Sequence, residues 1–330
     1  MTTLRLGGPP GTLTVVYEPE EAVEAVRSAA ANGEPVLILA GGSNVVIGDG
    51  GFPGRVILLR TRGVRIVGRD AGSAVVRVAA GEPWDAFVAR TVQDGLSGVE
   101  CLSGIPGSAG ATPIQNVGAY GQEVAQTIVA VHAYDRVEDR VVTMTPEQCA
   151  FAYRSSIFKH DDRRLVLEVD FRLAESPESA PIRYAELARQ LGVDVGDRVP
   201  LQQARDTVLK LRAGKGMVLD PDDRDTWSVG SFFTNPVLPE LPQADMPHWP
   251  AGGGRVKIPA AWLIEHAGFH KGFTLDGRVA ISSKHTLALT NRGGGTTDGL
   301  LTLARAIRDG VRERFGIDLH PEPVLVNCRL

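Results

Sequence analysis

Apolar residues along the first half of the chain fall in short runs. Those at 36–40, 45–47, 56–59, 64–67 and 75–79 are separated by glycine, asparagine and aspartate, the pattern of strands joined by tight turns. Further strands are predicted at 128–134, 141–144 and 165–173; the stretch 164–173 alternates in part, so that one face meets solvent. Between them, 18–32 reads as an amphipathic helix with Ala22, Val23, Val26, Ala29 and Ala30 on one face, Pro19 in its first turn and Gly33 at its stop. A short helix fits 84–93. The second half changes character. The stretch AESPESAP at 174–181 reads as a linker or domain boundary. A helix follows at 201–212, with Leu201, Ala204, Val208 and Leu211 at spacings of three and four. Residues 213–256 are rich in glycine, proline and aspartate and read mostly as loop, followed by a helix at 260–267. The strongest helical stripe is 296–315, carrying Leu300, Leu303, Ala304, Ile307, Val311 and Phe315. A last strand is expected at 324–326.

Composition narrows the class. With 330 residues, 43% hydrophobic and 22% charged, the chain has enough apolar surface for two or three domains. Its net charge of −4 gives nucleic acid no long-range attraction. Three scattered cysteines, Cys101, Cys149 and Cys328, show no metal-type spacing and fit a reduced, cytoplasmic setting. The segment MTTLRLGGPP lacks the pattern of a signal peptide, and no apolar stretch reaches the ~20 residues of a membrane span.

Two glycine clusters carry the candidate chemistry. Gly41-Gly42-Ser43-Asn44 lies between two apolar runs, where glycine permits close approach and successive N–H groups can cradle an anion such as a diphosphate. A strand follows it rather than a helix, so it is not a Rossmann fingerprint; a plain tight turn is the alternative. Residues 104–121, GIPGSAGATPIQNVGAYG, are dense in glycine and alanine yet hold Ile105, Ile114, Val117 and Tyr120. A loop pressed on a flat ligand explains both features, with Gln115 and Asn116 as polar edges; an irregular buried connection is the alternative. Together the clusters suggest a dinucleotide cofactor held without a Rossmann unit.

These segments, with YRSSIFK at 153–159, GSFFTNP at 230–236, KIPAAWLIEHAG at 257–268, KHTLALTN at 284–291 and PEP at 321–323, resemble the UDP-N-acetylenolpyruvoylglucosamine reductase family over almost the whole chain. The resemblance implies an α+β fold: a vanillyl-alcohol-oxidase-like, PCMH-type FAD-binding domain over 1–180, in lobes of about 1–68 and 69–180, and a substrate domain over 181–330 whose tail returns to the active site. It implies non-covalent FAD, NADPH as reductant, and conversion of UDP-N-acetyl-enolpyruvoylglucosamine to UDP-N-acetylmuramate. Cofactor contacts are expected from Gly41, Gly42, Ser43, Asn44, Gly104, Gly107, Ser108, Gly110, Ala111, Gln115, Asn116, Gly118, Ala119, Tyr120 and Gly121. Substrate contacts are expected from Tyr184, Arg212, Lys215 and Asn235.

The catalytic residues implied are Arg154 on the substrate carboxylate, Ser231 as proton donor and Glu322 assisting the arginine. Taken alone, Arg154 reads as an ion-pair partner, Ser231 as a hydroxyl bonded to backbone, and Glu322 as an exposed tail residue. The nearest competing function is a flavin oxidase with a tethered cofactor, for which Cys101 is the one candidate near the clusters. A non-catalytic flavin binder is the other.

Overall fold

The hydrophobic pattern closes into two sequence-interleaved compact units in the computed structural model, which describes residues 2–330. One comprises Pro10–Gly41 and Pro53–Ala213; the other comprises the chain up to Pro9, Gly42–Phe52 and Gly214–Leu330.

In the first unit, strands Pro10–Val16, Phe52–Leu59 and Val36–Leu39 form a sheet with Phe52–Leu59 in the middle. The pair Val36–Leu39 and Phe52–Leu59 is parallel, with residues 40–51 making the crossover between them. Glu18 and Glu21 form a capping box at the start of that helix, satisfying amides that the first turn cannot pair. A larger antiparallel sheet runs in the order Arg140–Met144, Ile128–Asp135, Arg164–Glu175, Ser73–Ala79, Val64–Asp70. Trp84 and Phe87 of helix Trp84–Gln93 pack with Phe171 of strand Arg164–Glu175 in an aromatic core; all three are buried, with ring centroids 5.3–5.6 Å apart. Truncating one such ring to alanine costs about 3–5 kcal/mol.

The predicted linker at 174–181 is not a boundary between compact units. The strand Arg164–Glu175 runs into it, Ser179 is buried, and the Ala180 N–H donates to Glu100 Oε1 at 2.6 Å. Glu100 is itself fully buried, and its carboxylate also accepts from Gly98 N–H and Gln122 Nε2. A buried carboxylate needs such donors, so this segment is held in place. The following residues, with helices Ala185–Leu191 and Leu201–Gly214, stay in the same unit; Ile182, Leu187, Ala188, Val199, Ala204 and Val208 pack with Cys101.

In the second unit, strand Val45–Ile47 pairs in parallel with Val324–Val326, which draws the stretch after the first glycine cluster to the C-terminal residues. Helix Thr297–Phe315 buries Leu300, Leu303, Ala304, Ile307 and Val311 against helix Ala260–His266 and the hairpin Val279–Ile281/Leu289–Asn291. Its first amides are satisfied from outside: Asp49 accepts from Thr297 N–H (2.8 Å) and Asp298 N–H (3.0 Å), and Thr296 Oγ1 from Gly299 N–H. Among the described residues no helix is long and apolar enough to cross a membrane.

Candidate active site

The glycine-rich segment is fixed at its start by helix Trp84–Gln93. Asp85 accepts the Gly104 N–H at 2.6 Å and both arms of the Arg205 guanidinium at 2.7 and 2.9 Å. Burial pushes the Asp85 carboxyl up, but the bonds from Arg205 and Gly104 and the charges of Arg205 and Arg212 outweigh it, holding its pKa below the ordinary value. Backbone bonds then lay the segment along residues 80–84: Trp84 N–H to Gly107 O, Ala109 N–H to Glu82 O and Gly110 N–H to Ala80 O. Side chains would not fit here. A Cβ on Gly110 would fall 2.4 Å from Ala80 Cβ, and one on Gly41 2.6 Å from Gly107 Cα. The first turn and the glycine-rich segment therefore touch backbone to backbone at Gly41 and Gly107. Beside that contact the Ser108 hydroxyl is buried with no hydrogen-bond partner among the described residues. An orphan of this kind costs about 1–3 kcal/mol, a cost that a polar ligand atom removes.

Asn116, with φ +45°, spends its amide on the loop: Nδ2 donates to Glu123 Oε2 (2.9 Å) and Ala152 O (3.1 Å), and Oδ1 accepts from Ala125 N–H (3.1 Å). Arg154 also has a left-handed backbone, φ +52°, a conformation that costs an L-residue about 1–2 kcal/mol. Its guanidinium donates to Gly118 O at 2.7 Å and lies 5.4 Å from the Tyr153 ring, while Lys159 Nζ donates to the Arg154 carbonyl at 3.0 Å. The half-buried cation is thus tied to the glycine-rich segment. Tyr120 meets Tyr184 edge-on at 5.5 Å. Tyr184 is 41% exposed and precedes helix Ala185–Leu191. Arg212 is buried on helix Leu201–Gly214; desolvation lowers its pKa against the raising influence of Tyr120 and Asp85. The structure therefore groups Tyr184 and Arg212 with the glycine-rich segment, whereas Lys215 counts with the C-terminal residues.

In the other unit, residues 231–234 run between two neighbours. On one side the Phe232 N–H donates to Leu287 O at 2.7 Å, and Ser231 bridges Ala288. On the other side the Glu322 N–H donates to Phe232 O at 2.8 Å, and Thr234 N–H to His320 O. Phe232 and Phe233, both buried with centroids 5.1 Å apart, anchor this stretch in the core. Ser231 and Glu322 consequently belong to adjacent extended stretches, linked through Phe232. The Val324 N–H donates to Asn44 O at 3.0 Å and opens the parallel pairing with 45–47, so Gly42, Ser43 and Asn44 belong to the same backbone network. Asn235 Oδ1 accepts the Ala260 N–H at 2.9 Å and caps helix Ala260–His266. No group of three or more His, Cys, Asp or Glu among the described residues is placed to hold a metal ion.

Asp85, Asp49 and Asp225 are the anchors that local sequence patterns do not single out. Each is an ordinary acidic residue whose partners lie far away along the chain, and a single sequence carries no signal for them.

The family model described as FAD binding domain matches residues 12–144, and that described as UDP-N-acetylenolpyruvoylglucosamine reductase, C-terminal domain, matches residues 220–326. Those two parts on one α+β chain define a flavin-dependent oxidoreductase, and the fold expected from the sequence stands. The chain is 60% identical to the UDP-N-acetylenolpyruvoylglucosamine reductase of Salinispora arenicola, covering all of this chain and 94% of that protein. It is 55% identical to that of Streptomyces coelicolor, covering all of this chain and 89% of the relative. The crystal structure of the enzyme from Thermus caldophilus superposes with a TM-score of 0.69 at 26% identity, over 98% of this chain and 95% of that one. The chain belongs to the UDP-N-acetylenolpyruvoylglucosamine reductase family, flavoenzymes that carry out a reduction in peptidoglycan precursor synthesis. The orphan Ser108 hydroxyl and the side-chain-free approach of Gly41 to Gly107 fit FAD as the resident group.

Proposed function

We propose that the protein reduces UDP-N-acetyl-enolpyruvoylglucosamine to UDP-N-acetylmuramate with NADPH as electron source and non-covalent FAD, in the cytoplasm. When bound, FAD would supply the hydride chemistry that links NADPH to C3 of the enolpyruvyl group, and Gly41, Gly107 and Ser108 would hold it. Adding hydride at C3 moves the C2=C3 π pair to C2 and into the carboxylate. Arg154 binds that carboxylate through its planar fork and stabilises the charge where it develops. The Ser231 hydroxyl gives its proton to C2, completing the reduction. Glu322, in its protonated form, donates to the same carboxylate; ionised, it would repel the growing charge.

The observation that supports this reading is the hydrogen bond from Glu322 N–H to Phe232 O, 2.8 Å, which joins the stretch holding Glu322 to the residue after Ser231. Strain supports the role of Arg154: a left-handed, non-glycine backbone at a cation is the kind of outlier found at functional sites. Gly41, Gly107 and Ser108 are assigned to the cofactor, and Tyr184, Arg212, Lys215 and Asn235 to the nucleotide sugar. Cys101 makes a poor flavin tether, since it is 2% exposed in an apolar cluster and burial pushes its thiol pKa up. The three cysteines are free, in keeping with a reducing compartment.

Turnover in deuterium oxide tests the assignment. The product carries solvent deuterium at C2 in a single configuration, because a fixed hydroxyl delivers it to one face. A mixture of C2 configurations would mean that bulk water protonates C2 and that Ser231 has no such role.

A further inference from the structure

We propose that Asp225 is a positioning residue for Ser231, acting through the turn at 282–288. This rests on the reading of Ser231 as the proton donor. Asp225 lies in the short helical turn Arg224–Thr226, six positions before Ser231, and is 4% exposed. Its Oδ1 accepts from the Ser283 N–H at 2.9 Å and from Arg292 Nη1 at 2.8 Å; its Oδ2 accepts from the Ser283 hydroxyl at 2.6 Å. Asp223 reinforces the same junction, capping Asp225 N–H at 2.9 Å and pairing with Lys284 Nζ at 2.5 Å.

The turn that Asp225 grips is closed by its own hydrogen bonds and is bridged to Ser231. Ser282 Oγ accepts from Lys284 and His285 N–H, the Ala288 N–H donates to His285 O, and the Ser282 N–H to Ala288 O at 2.8 Å. The far end of that turn then holds the stretch after Gly230: Leu287 O accepts from Phe232 N–H at 2.7 Å, and Ala288 bridges Ser231. Arg292, the second partner of Asp225, follows directly on the strand Leu289–Asn291, whose Asn291 N–H donates to Trp227 O at 3.0 Å. Asp225 thus fixes both arms of the hairpin against which Ser231 is registered. Displacing a reacting group by about 1 Å costs on the order of 100-fold in rate, so an anchor two contacts away governs the proton transfer without touching substrate.

The test uses the flavin-loaded protein and measures separately flavin reduction by NADPH and flavin reoxidation by the enolpyruvyl substrate, for Asp225→Asn, Ser283→Ala, Ser231→Ala and the double variant Asp225→Asn/Ser231→Ala. Asp225→Asn is expected to slow reoxidation by about 10-fold or more while leaving flavin reduction within about twofold. Ser283→Ala, which keeps the backbone N–H, gives a smaller loss of the same kind and serves if Asp225→Asn fails to fold. In the Ser231→Ala background, Asp225→Asn adds less than about twofold, because two residues acting through one group are not additive. The same fold-loss with and without the Ser231 hydroxyl, or equal loss in both half-reactions, overturns the proposal and makes Asp225 merely structural. Wild-type reoxidation by Ser231→Ala alone overturns the reading of Ser231 itself.

Discussion

Val324 donates its N–H to the carbonyl of Asn44 across 3.0 Å, although 280 positions of sequence separate them. That bond ties the strand following Glu322 to the strand following the Gly42-Ser43-Asn44 turn, with Val324 beside Val45 and Val326 beside Ile47. The turn assigned to the cofactor and the carboxyl assigned to the substrate therefore share one support. Val324→Pro removes the donor and leaves the Asn44 carbonyl without it, a change worth roughly 1–3 kcal/mol. Weaker FAD retention and slower substrate reduction are expected together. Loss of one without the other, measured by flavin release and turnover on the same sample, would separate the two supports.

Close backbone approach gives a second expectation. Gly41→Ala places a methyl group 2.6 Å from Gly107 Cα, where no flexible side chain can yield. FAD affinity should fall by at least about 10-fold, while far-UV circular dichroism stays unchanged, because the displaced atoms belong to loops rather than to the sheets. Normal flavin content would show that the Gly41–Gly107 contact does not shape the cofactor site.

Arg154 offers a charge-retaining substitution. Arg154→Lys keeps a cation but loses the planar fork and the donor to Gly118 O. The expected result is a kcat/KM for the enolpyruvyl substrate lower by about 10²-fold with full flavin content, a loss of transition-state binding. Equal activity in the lysine variant would leave only charge, not geometry, as the contribution of this residue.

Much of the fold is legible in the sequence where the signal is local. Thr297–Phe315 is evident from its apolar stripe, and Trp84–Gln93 and Val45–Ile47 lie where periodicity puts them. The strand Pro10–Val16 is not legible, because it opens with proline and glycine and leaves Leu13 and Val15 exposed. Helix Ala185–Leu191 is too short to show a period. The stretch 174–181 looks like a linker because composition cannot reveal that Glu100, some 80 positions earlier, waits for the Ala180 N–H. The glycine segments stand out by composition, whereas Arg154, Ser231 and Glu322 stand out through family resemblance. What joins the stretch after Ser231 to Glu322 is backbone hydrogen bonding between distant segments, which periodicity does not encode.

Acid stability should report a separate ion network. Asp170 on the large sheet accepts both arms of Arg77 at 2.7 and 2.8 Å, and His132 lies 3.0 Å away. Burial pushes its carboxyl up, but Arg77 and His132 outweigh it and bring the pKa down to about 2. The folded value lies below the unfolded value of about 3.9, so the stabilisation is complete above that pH and is lost as the pH falls toward 2. Asp170→Asn is expected to cost roughly 1–2 kcal/mol at neutral pH and less at pH ~2. Urea titrations at both pH values check this; an equal cost at both would place the effect in packing rather than in charge.

The most direct measurement is anaerobic. NADPH is added to yellow, flavin-loaded wild-type and Ser231→Ala protein until the visible flavin band bleaches, and the enolpyruvyl sugar nucleotide is then mixed in. Both proteins are expected to bleach at similar rates. The band should return rapidly in the wild type and at least about 10³-fold more slowly in Ser231→Ala. Rapid return of the colour in both would contradict Ser231 as the proton donor, and failure of the wild-type band to return at all would contradict the substrate.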